Sequence, residues 1–355
     1  DSFIVAMSTQ SMSETVLKNI NRSNIKLDHY KAINQHLKKV GRPTSGELII
    51  GLPGETRESF MKGAVEVIDS GVQRVVIYTL MMLHGTEFKD PGYRSRFDMK
   101  GKYRIIPLNC GEYDGEKVFD YEEVCIENKD MSFEDYLYIR EFALITEVIF
   151  NNGIFELYFK YALSEGINKS EFVLAALKDI KTAPKKIIKL FKEFNRETRE
   201  ELWNSEEEMV KHYKKDENYK KLVSGEAGGN LMYKYKSLNM VHAMPEWMEY
   251  LTIVLKKCIN KINSNISNKD LKIKNHEINN LVEYHKNKTW KFLEDSPSNE
   301  ILKMKSDYNF VSWLESSENE PLKSFKTNKQ IEYFFKLTDR QKREKNDMFR
   351  RYGKT

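Results

Sequence analysis

Side chains of types that bind ligands stand at the ends of three apolar segments of the sequence. Gln10 follows the apolar run at residues 3–8, Glu47 begins the run at 47–52, and Met81 and His84 follow the run at 72–80. In parallel β/α folds, ligands bind at the carboxyl ends of the strands. If the three segments are such strands, these side chains are candidates for one binding site.

The first candidate segment spans residues 8–11. Because side chains alternate along a strand, Ala6, Ser8 and Gln10 share one face, and this face forms a small polar floor that a ligand could approach. The alternative is that Gln10 only stabilises the turn after the strand. The spacing leaves both interpretations open.

The second candidate segment spans residues 46–56, where Glu47, Ile49 and Gly51 share one face of a strand. A carboxylate beside a flat apolar surface suits a ribose with its base packed beyond it. The segment is not a phosphate-binding loop, since it lacks the Gly-Lys-Ser/Thr ending, and it is not a dinucleotide fingerprint. The alternative is a tight strand-to-helix turn that needs glycine for its backbone and Pro53 for rigidity.

The third candidate segment spans residues 79–87, an apolar rim that contains Met81 and Met82 and ends in a turn at His84. A methionine cluster more often fills a core than lines a cofactor site. A histidine in such a turn is more often a surface residue than a catalyst.

The elements that must position these residues alternate between strands and helices along residues 1–88. Strands joined by helical crossovers form a parallel sheet covered by helices, which places this region in the α/β class. Three such units are too few for a closed barrel of eight, but they fit half of a smaller, partial barrel. Strands are predicted at 3–8, 47–52 and 72–80, and helices after Ser13, over 28–40 and after Thr56.

The rest of the chain has a different pattern. Residues 91–130 are predicted to be an irregular linker because they are rich in proline and glycine. Residues 131–355 form a mainly α-helical domain, which opens with a helix capped by Ser132 through Asp135. Within it, residues 259–290 are rich in Asn and Lys, and they are either a poor helix pair or a partly ordered linker.

Composition restricts the class of protein. The 355 residues carry a net charge of only +5 with both signs mixed, which favours a solvated surface over a nucleic-acid-binding one. No run reaches the roughly 18 apolar residues of a membrane span, and no signal peptide opens the chain, so a cytoplasmic protein is predicted. The wide spacing of Cys110, Cys125 and Cys258 argues against a disulfide framework or a zinc site. A chain that begins directly on an apolar strand predicts that further sequence precedes it.

Taken together, the three segments resemble the second half of the partial barrel of radical S-adenosylmethionine (SAM) enzymes. The resemblance depends on Gln10-Ser11 followed by residues 16–22, then residues 47–56, then residues 83–87, in this order and at these separations. It covers residues 1–90 and implies strands four to six. The implied fold is the C-terminal half of a partial (β/α)6 TIM-type barrel followed by a mainly α-helical domain.

The resemblance implies a role for three polar residues. Gln10, at the end of the fourth barrel strand, matches a position that contacts the ribose of SAM. Arg22 matches the arginine that pairs with the SAM carboxylate, a partner that suits a guanidinium fork. Glu47, on the fifth strand, matches an acidic ligand of the ribose hydroxyls.

The resemblance also implies adenine contacts. Ile49 and Gly51 match the apolar strand that packs on the adenine ring. Tyr78 and Met81, on the sixth strand, match positions whose backbone reads the adenine edge.

Two features depart from the family pattern. The glutamate often found three residues after the fifth-strand glycine is Gly54 here, with Glu55 next to it. The Cys-x3-Cys-x2-Cys loop that holds the 4Fe–4S cluster is absent, as is the Gly-Gly-Glu-type segment of the second strand. The implied cluster ligands would therefore lie outside this chain, and the chain alone is expected to be inactive.

The resemblance extends to one branch of the family. Residues 80–87 with 90–94, and the ending at 348–353, look like proteins with an N-terminal cobalamin-binding domain. The resemblance implies a radical SAM enzyme that uses SAM and a 4Fe–4S cluster as cofactors and acts on a small molecule. It also implies an electron donor such as flavodoxin or ferredoxin, and the branch implies cobalamin as a further cofactor. The alternatives are a degenerate scaffold or partner subunit, and an RNA-modifying radical SAM enzyme.

Overall fold

The computed structural model describes residues 5–262, 267–293, 300–328, 330–335 and 339–352. The chain divides into two compact units. The first unit contains residues 1–147 and 191–235, and the second contains residues 148–190 and 236–355. The division therefore does not follow the predicted boundary at residue 131, because part of the helical region belongs to the first unit.

A three-stranded parallel sheet forms the centre of the first unit, with its strands in sequence order. The predicted alternation of strands and helices is confirmed, although the predicted first strand begins at Phe3, which lies outside the described residues. The elements are β1 (Val5–Gln10), α1 (Glu14–Asn19), α2 (Leu27–Lys39), β2 (Thr44–Ile50), α3 (Arg57–Asp69) and β3 (Arg74–Thr79).

Helix α3 shows how the sequence covers one face of this sheet. It begins at the N-cap Thr56, whose side chain accepts a hydrogen bond from the Ser59 amide at 3.1 Å. Its buried side chains include Phe60 and Val67. A β-carbon on Gly46 of β2 would overlap Val67, so the absence of a side chain there allows helix and strand to approach closely.

The prediction of an irregular linker over residues 91–130 is wrong. A short helix is followed by a long antiparallel hairpin whose two strands are joined by Asp114 and Gly115. Both turn residues have positive φ, 50° and 80°, and Asp-Gly is a strong hairpin signal because a tight turn of this kind needs φ above zero. The elements are α4 (Pro91–Arg96), β4 (Lys100–Tyr113) and β5 (Glu116–Glu127).

Pro107 lies in β4 at a place where the pairing of the two strands is interrupted. The register of β4 on β5 shifts between Ile105 and Cys110, and Pro107 lies within the shifted stretch. Proline is tolerated in a sheet where no ladder hydrogen bond is needed. Pro107, which suggests an irregular loop in the sequence, therefore lies at an irregularity within one hairpin.

Helices complete the first unit. Helix α5 begins at Ser132, whose side chain and that of Asp135 form the predicted capping box. The helices of this part are α5 (Phe133–Ile145), the end of α8 (Lys185–Glu200), α9 (Glu206–Tyr213), α10 (Asp216–Ser224) and the start of α11 (Leu231–His242). Helices α9 and α10 pack against β4, and the end of α8 contacts α5 through the hydrogen bond from Asn195 to Glu141.

The second unit is mainly helical. Its long helices include one over residues 268–293, so the Asn- and Lys-rich stretch is a helix pair in the part that the structure describes. None of the described helices has the length and apolar character needed to cross a bilayer. The elements are α6 (Glu156–Ser164), α7 (Lys169–Lys178), α12 (Met244–Ile262), α13 (Asn268–Leu293), β6 (Glu300–Lys305), α14 (Phe310–Glu315), β7 (Gln330–Phe335) and α15 (Asp339–Tyr352).

Candidate functional site

One face of the parallel sheet brings several of the predicted site residues together. Ser8 of β1 is the register partner of Glu47 on β2, and Ile49 of β2 is the partner of Tyr78 on β3. Register partners in a parallel pair project from the same face, so these four side chains share it. Gly46, one residue out of phase, belongs to the opposite face, which α3 covers.

The middle of this face is polar. Glu47 is half-buried, and the Thr9 hydroxyl donates to its main-chain carbonyl at 2.9 Å, which joins the two strands. Burial first, and then the charge of Glu47, raise the pKa of the Tyr78 phenol, while Arg74 opposes the shift. The Glu47 carboxylate is therefore close enough to the Tyr78 phenol to influence it, and the Tyr78 side chain is 50% exposed.

Ile49 provides the apolar part of the face. It is half-buried and packs against an apolar cluster at the carboxyl end of the sheet, which supports the side chain from one side. A ring placed over Ile49 would contact a side chain whose position is fixed by its packing against this cluster. The buried members of this cluster are Val16, Leu52, Leu80, Met82, Phe97, Met99 and Cys125.

Gly51 has a packing role. Its φ is 92°, and a β-carbon there would come within 2.9 Å of the Cys125 carbonyl oxygen on β5. The Asn128 amide donates to the Gly51 and Leu52 carbonyls at 3.2 and 3.3 Å. The space beside Gly51 is therefore taken by the hairpin, and the glycine lets the hairpin pack against the strand end.

Met81 lies where β3 meets the hairpin. It is 43% exposed and is the bridge partner of Val124. Hydrogen bonds join the residues on either side of it, from Met82 N–H to the Glu123 carbonyl at 2.8 Å and from Cys125 N–H to the Leu80 carbonyl at 2.9 Å. In such an antiparallel bridge the amide and carbonyl of the central residue point away from the partner strand, so those of Met81 are directed away from the hairpin.

Gln10 and Arg22 lie at the end of β1. Gln10 is half-buried with φ of 57°, and a register shift before it breaks the alternation that the sequence predicts for Ala6, Ser8 and Gln10. Arg22 is exposed, and its guanidinium donates to the Ser8 carbonyl at 2.5 Å. Because Ser8 is the register partner of Glu47, this bond places the Arg22 guanidinium on the strand residue beside Glu47.

Sequence reasoning misses a buried carboxylate behind these strand ends. Glu55 is 1% exposed and accepts hydrogen bonds from the hydroxyls of Ser11 and Ser59. Burial raises its pKa, and the two hydroxyls act in the opposite direction. It joins the turn after β2 to the end of β1. Its position beside Gly54 was the available signal, because a glutamate next to the expected position can occupy the same space.

His84 lies in an exposed turn, as a surface histidine would. Met82 is buried in the apolar cluster and fills the core, while the Met81 side chain is exposed.

The cysteines do not fit an iron–sulfur cluster. Cys125 is buried, and that burial raises the pKa of its thiol to about 12. Cys110 is the cross-strand partner of Phe119, and Cys258 lies on α12 in the second unit. Within the described ranges, no group of three His, Cys, Asp or Glu side chains is placed to hold a metal ion.

Comparison with known proteins gives two distant relatives. No protein-family profile matches the chain. An uncharacterized protein of Methanocaldococcus jannaschii is 28% identical over 106 residues, which are 30% of this chain and 33% of that protein. The cobalamin-dependent radical SAM methyltransferase TokK of Streptomyces tokunonensis is 28% identical over 171 residues, which are 47% of this chain and 24% of that enzyme. The chain thus spans a third or less of the length of these relatives and is distantly similar to a radical SAM enzyme.

Proposed function

We propose that this chain supplies the ribose- and adenine-binding half of a SAM site in a radical SAM enzyme. In this proposal, β1, β2 and β3 are the fourth, fifth and sixth strands of a partial barrel. The observation that carries the proposal is the alignment of Glu47 with Ser8 and of Ile49 with Tyr78 on one face of the sheet. The similarity to TokK supports the choice of family.

Each part of this face suits a part of SAM. The Glu47 carboxylate is an acceptor for the two ribose hydroxyls, and a charge-assisted hydrogen bond of this kind is among the stronger ones in proteins. Ile49 offers a supported apolar surface for the adenine ring. The outward-directed amide and carbonyl of Met81 suit the hydrogen-bonding edge of adenine.

The polar end of SAM would lie near the end of β1. Gln10 would contact the ribose. Arg22 uses one guanidinium nitrogen on the Ser8 carbonyl, and a guanidinium has five N–H donors, so a carboxylate can still be bound. Gly51 contributes by allowing the hairpin to close against the strand end rather than by touching the ring.

The remaining chemistry belongs to the whole protein. The cysteines of this chain do not fit a cluster, so the ligands of the 4Fe–4S cluster would come from sequence outside it. Cobalamin dependence and methyl transfer are suggested by the similarity to TokK. A small-molecule substrate and an electron donor such as flavodoxin or ferredoxin follow from the same proposal.

The test is SAM affinity of the protein as its gene encodes it, measured by equilibrium dialysis. Glu47→Gln and Arg22→Ala should each weaken binding, since loss of a hydrogen bond to a charged group costs about 1.5–3 kcal/mol, or roughly tenfold to a hundredfold in affinity. Glu66→Gln is the matched control, because Glu66 is also half-buried but lies on α3. It should bind SAM as the unaltered protein does.

Two results would contradict the proposal. Unchanged affinity in both Glu47→Gln and Arg22→Ala would remove the SAM site and favour a scaffold or partner subunit. A stable four-iron cluster and deoxyadenosine production by this 355-residue chain alone, after reconstitution with iron and sulfide, would show that no ligands from elsewhere are needed.

A further inference from the structure

We propose that Asn24 is a positioning residue for Gln10, which holds the end of β1 in the backbone conformation that the ligand site uses. The inference rests on the proposed SAM site, because Gln10 is assigned to the ribose there. Asn24 itself lies in the loop between α1 and α2 and is half-buried.

The backbone at Gln10 is unusual for a residue with a side chain. Its φ of 57° lies in the left-handed region, which side-chain crowding disfavours in all residues except glycine. The register of β1 on β2 shifts at the same place: Ser8 pairs with Glu47, yet Gln10 pairs with Leu48. Two residues of β1 thus oppose one of β2, the arrangement of a β-bulge, and bulges re-aim side chains beside functional sites.

Hydrogen bonds of two kinds hold the bulge: the Ser11 N–H donates to the Thr9 carbonyl at 2.7 Å across Gln10, and the side-chain amide of Asn24 adds two more. Asn24 Nδ2 donates to the Thr9 carbonyl at 2.9 Å and to the Ser11 carbonyl at 2.7 Å, so it bridges the two residues that flank Gln10. A primary amide has two N–H donors, one for each carbonyl. The bridge fixes the distance between the Thr9 and Ser11 carbonyls and therefore restricts the φ and ψ angles of Gln10 and Ser11, which lie between them.

The same loop acts on the strand end at a second point. Arg22, two residues before Asn24, donates to the Ser8 carbonyl. The loop thereby contacts three main-chain carbonyls at the end of β1, those of Ser8, Thr9 and Ser11, and any shift of the loop moves both Gln10 and Arg22. Loss of the Asn24 amide should therefore be felt in SAM binding and not only in folding.

The experiment uses the full gene product and compares Asn24→Asp, Gln10→Ala and the double variant. Asn24→Asp keeps the shape but has no N–H donor and faces two carbonyl oxygens with a carboxylate. Each single variant should weaken SAM binding about tenfold, and the double variant should be no weaker than the singles, because residues that act through one another are not additive.

Asn34→Ala is the matched control. Asn34 is 1% exposed and donates to the Ser70 hydroxyl at 3.1 Å, away from the strand ends. It should lower the thermal midpoint about as much as Asn24→Asp does, while SAM affinity stays within about twofold of the unaltered protein.

A second measurement needs no ligand. Glycine adopts the left-handed conformation readily, so Asn24→Asp should lower the thermal midpoint less in a Gln10→Gly background than in the unaltered protein. Equal lowering in the two backgrounds, or fully additive losses of SAM affinity, would overturn the role of Asn24. If Gln10→Ala and Glu47→Gln both bind SAM normally, the SAM site itself fails, and the midpoint comparison still decides whether Asn24 holds Gln10.

Discussion

Polar groups have opposite surroundings on the candidate-site face of the sheet in the first unit and in the aromatic core of the second unit. On the sheet face, Glu47 is half-buried beside a half-exposed Tyr78. In the second unit, His285 is fully buried, stacked on Phe155 with 5.3 Å between ring centroids and edge-on to Tyr158. A group left partly in water keeps its capacity to bind a ligand, whereas a group sealed among aromatic rings is committed to stability.

Other polar groups of the second unit follow the same rule. The Tyr161 hydroxyl donates to the buried Glu277 carboxylate at 2.7 Å. The buried Lys160 ammonium donates to the Ser316 carbonyl at 2.8 Å, just past the end of α14, where a positive charge is favourable. These pairs satisfy one another inside the core, so they contribute to folding and not to a site.

We predict that burial of His285 makes the folded protein less stable at low pH. Burial, with a smaller effect of Lys288, lowers its pKa from 6.5 to about 3. The unfolded chain therefore takes up a proton below pH 6.5 that the folded chain refuses, and stability is lost as pH falls from 6.5 towards 3. The loss should be on the order of 4–5 kcal/mol, measured by urea unfolding across this range.

His285→Phe should remove that part of the acid loss, because phenylalanine carries no proton and can stack on Phe155. His84→Phe, which alters an exposed histidine, should keep the acid profile of the unaltered protein. A profile for His285→Phe that follows the unaltered protein would show that the buried histidine does not carry the pH dependence.

A smaller effect should separate packing from binding at Gly51. Gly51→Ala places a β-carbon near the Cys125 carbonyl and requires a left-handed alanine, so unfolding free energy should fall by about 2–4 kcal/mol. Gly71→Ala has almost the same φ, 93°, but meets no atom within 4 Å, and should cost only about 1–2 kcal/mol. Equal losses would mean that the hairpin does not press on Gly51.

Substitutions at Glu47 and Tyr161 should affect the free energy of unfolding to different extents. Glu47→Gln should change the unfolding free energy of this chain by less than about 0.5 kcal/mol, since the side chain is partly solvated and outside the core. Tyr161→Phe, which leaves the buried Glu277 without its donor, should lower it by about 1–3 kcal/mol. A large loss from Glu47→Gln, seen by chemical denaturation, would make Glu47 a structural residue.

Local signals predict the local elements well. Thr56 with its capping box begins α3, and Ser132 with Asp135 begins α5, because caps act within one helical turn. The hairpin of β4 and β5 is not predicted because proline and glycine are typical of loops, although Asp114-Gly115 is a turn signal. A helix pair over residues 259–290 could be predicted only as one of two alternatives, since the buried faces of α12 and α13 are set by packing.

Local patterns are enough to predict which residues are candidates for a site and which strands contain them. Glu47 and Ile49 share a face because strand alternation is a local property. The tertiary structure alone decided what lies beside them. It placed Cys125 against Gly51, Glu55 behind Ser11, and Asn24 across the backbone of Gln10. These contacts join residues far apart in the chain or depend on a bulge, and no local pattern encodes them, because they form only when separate elements pack together.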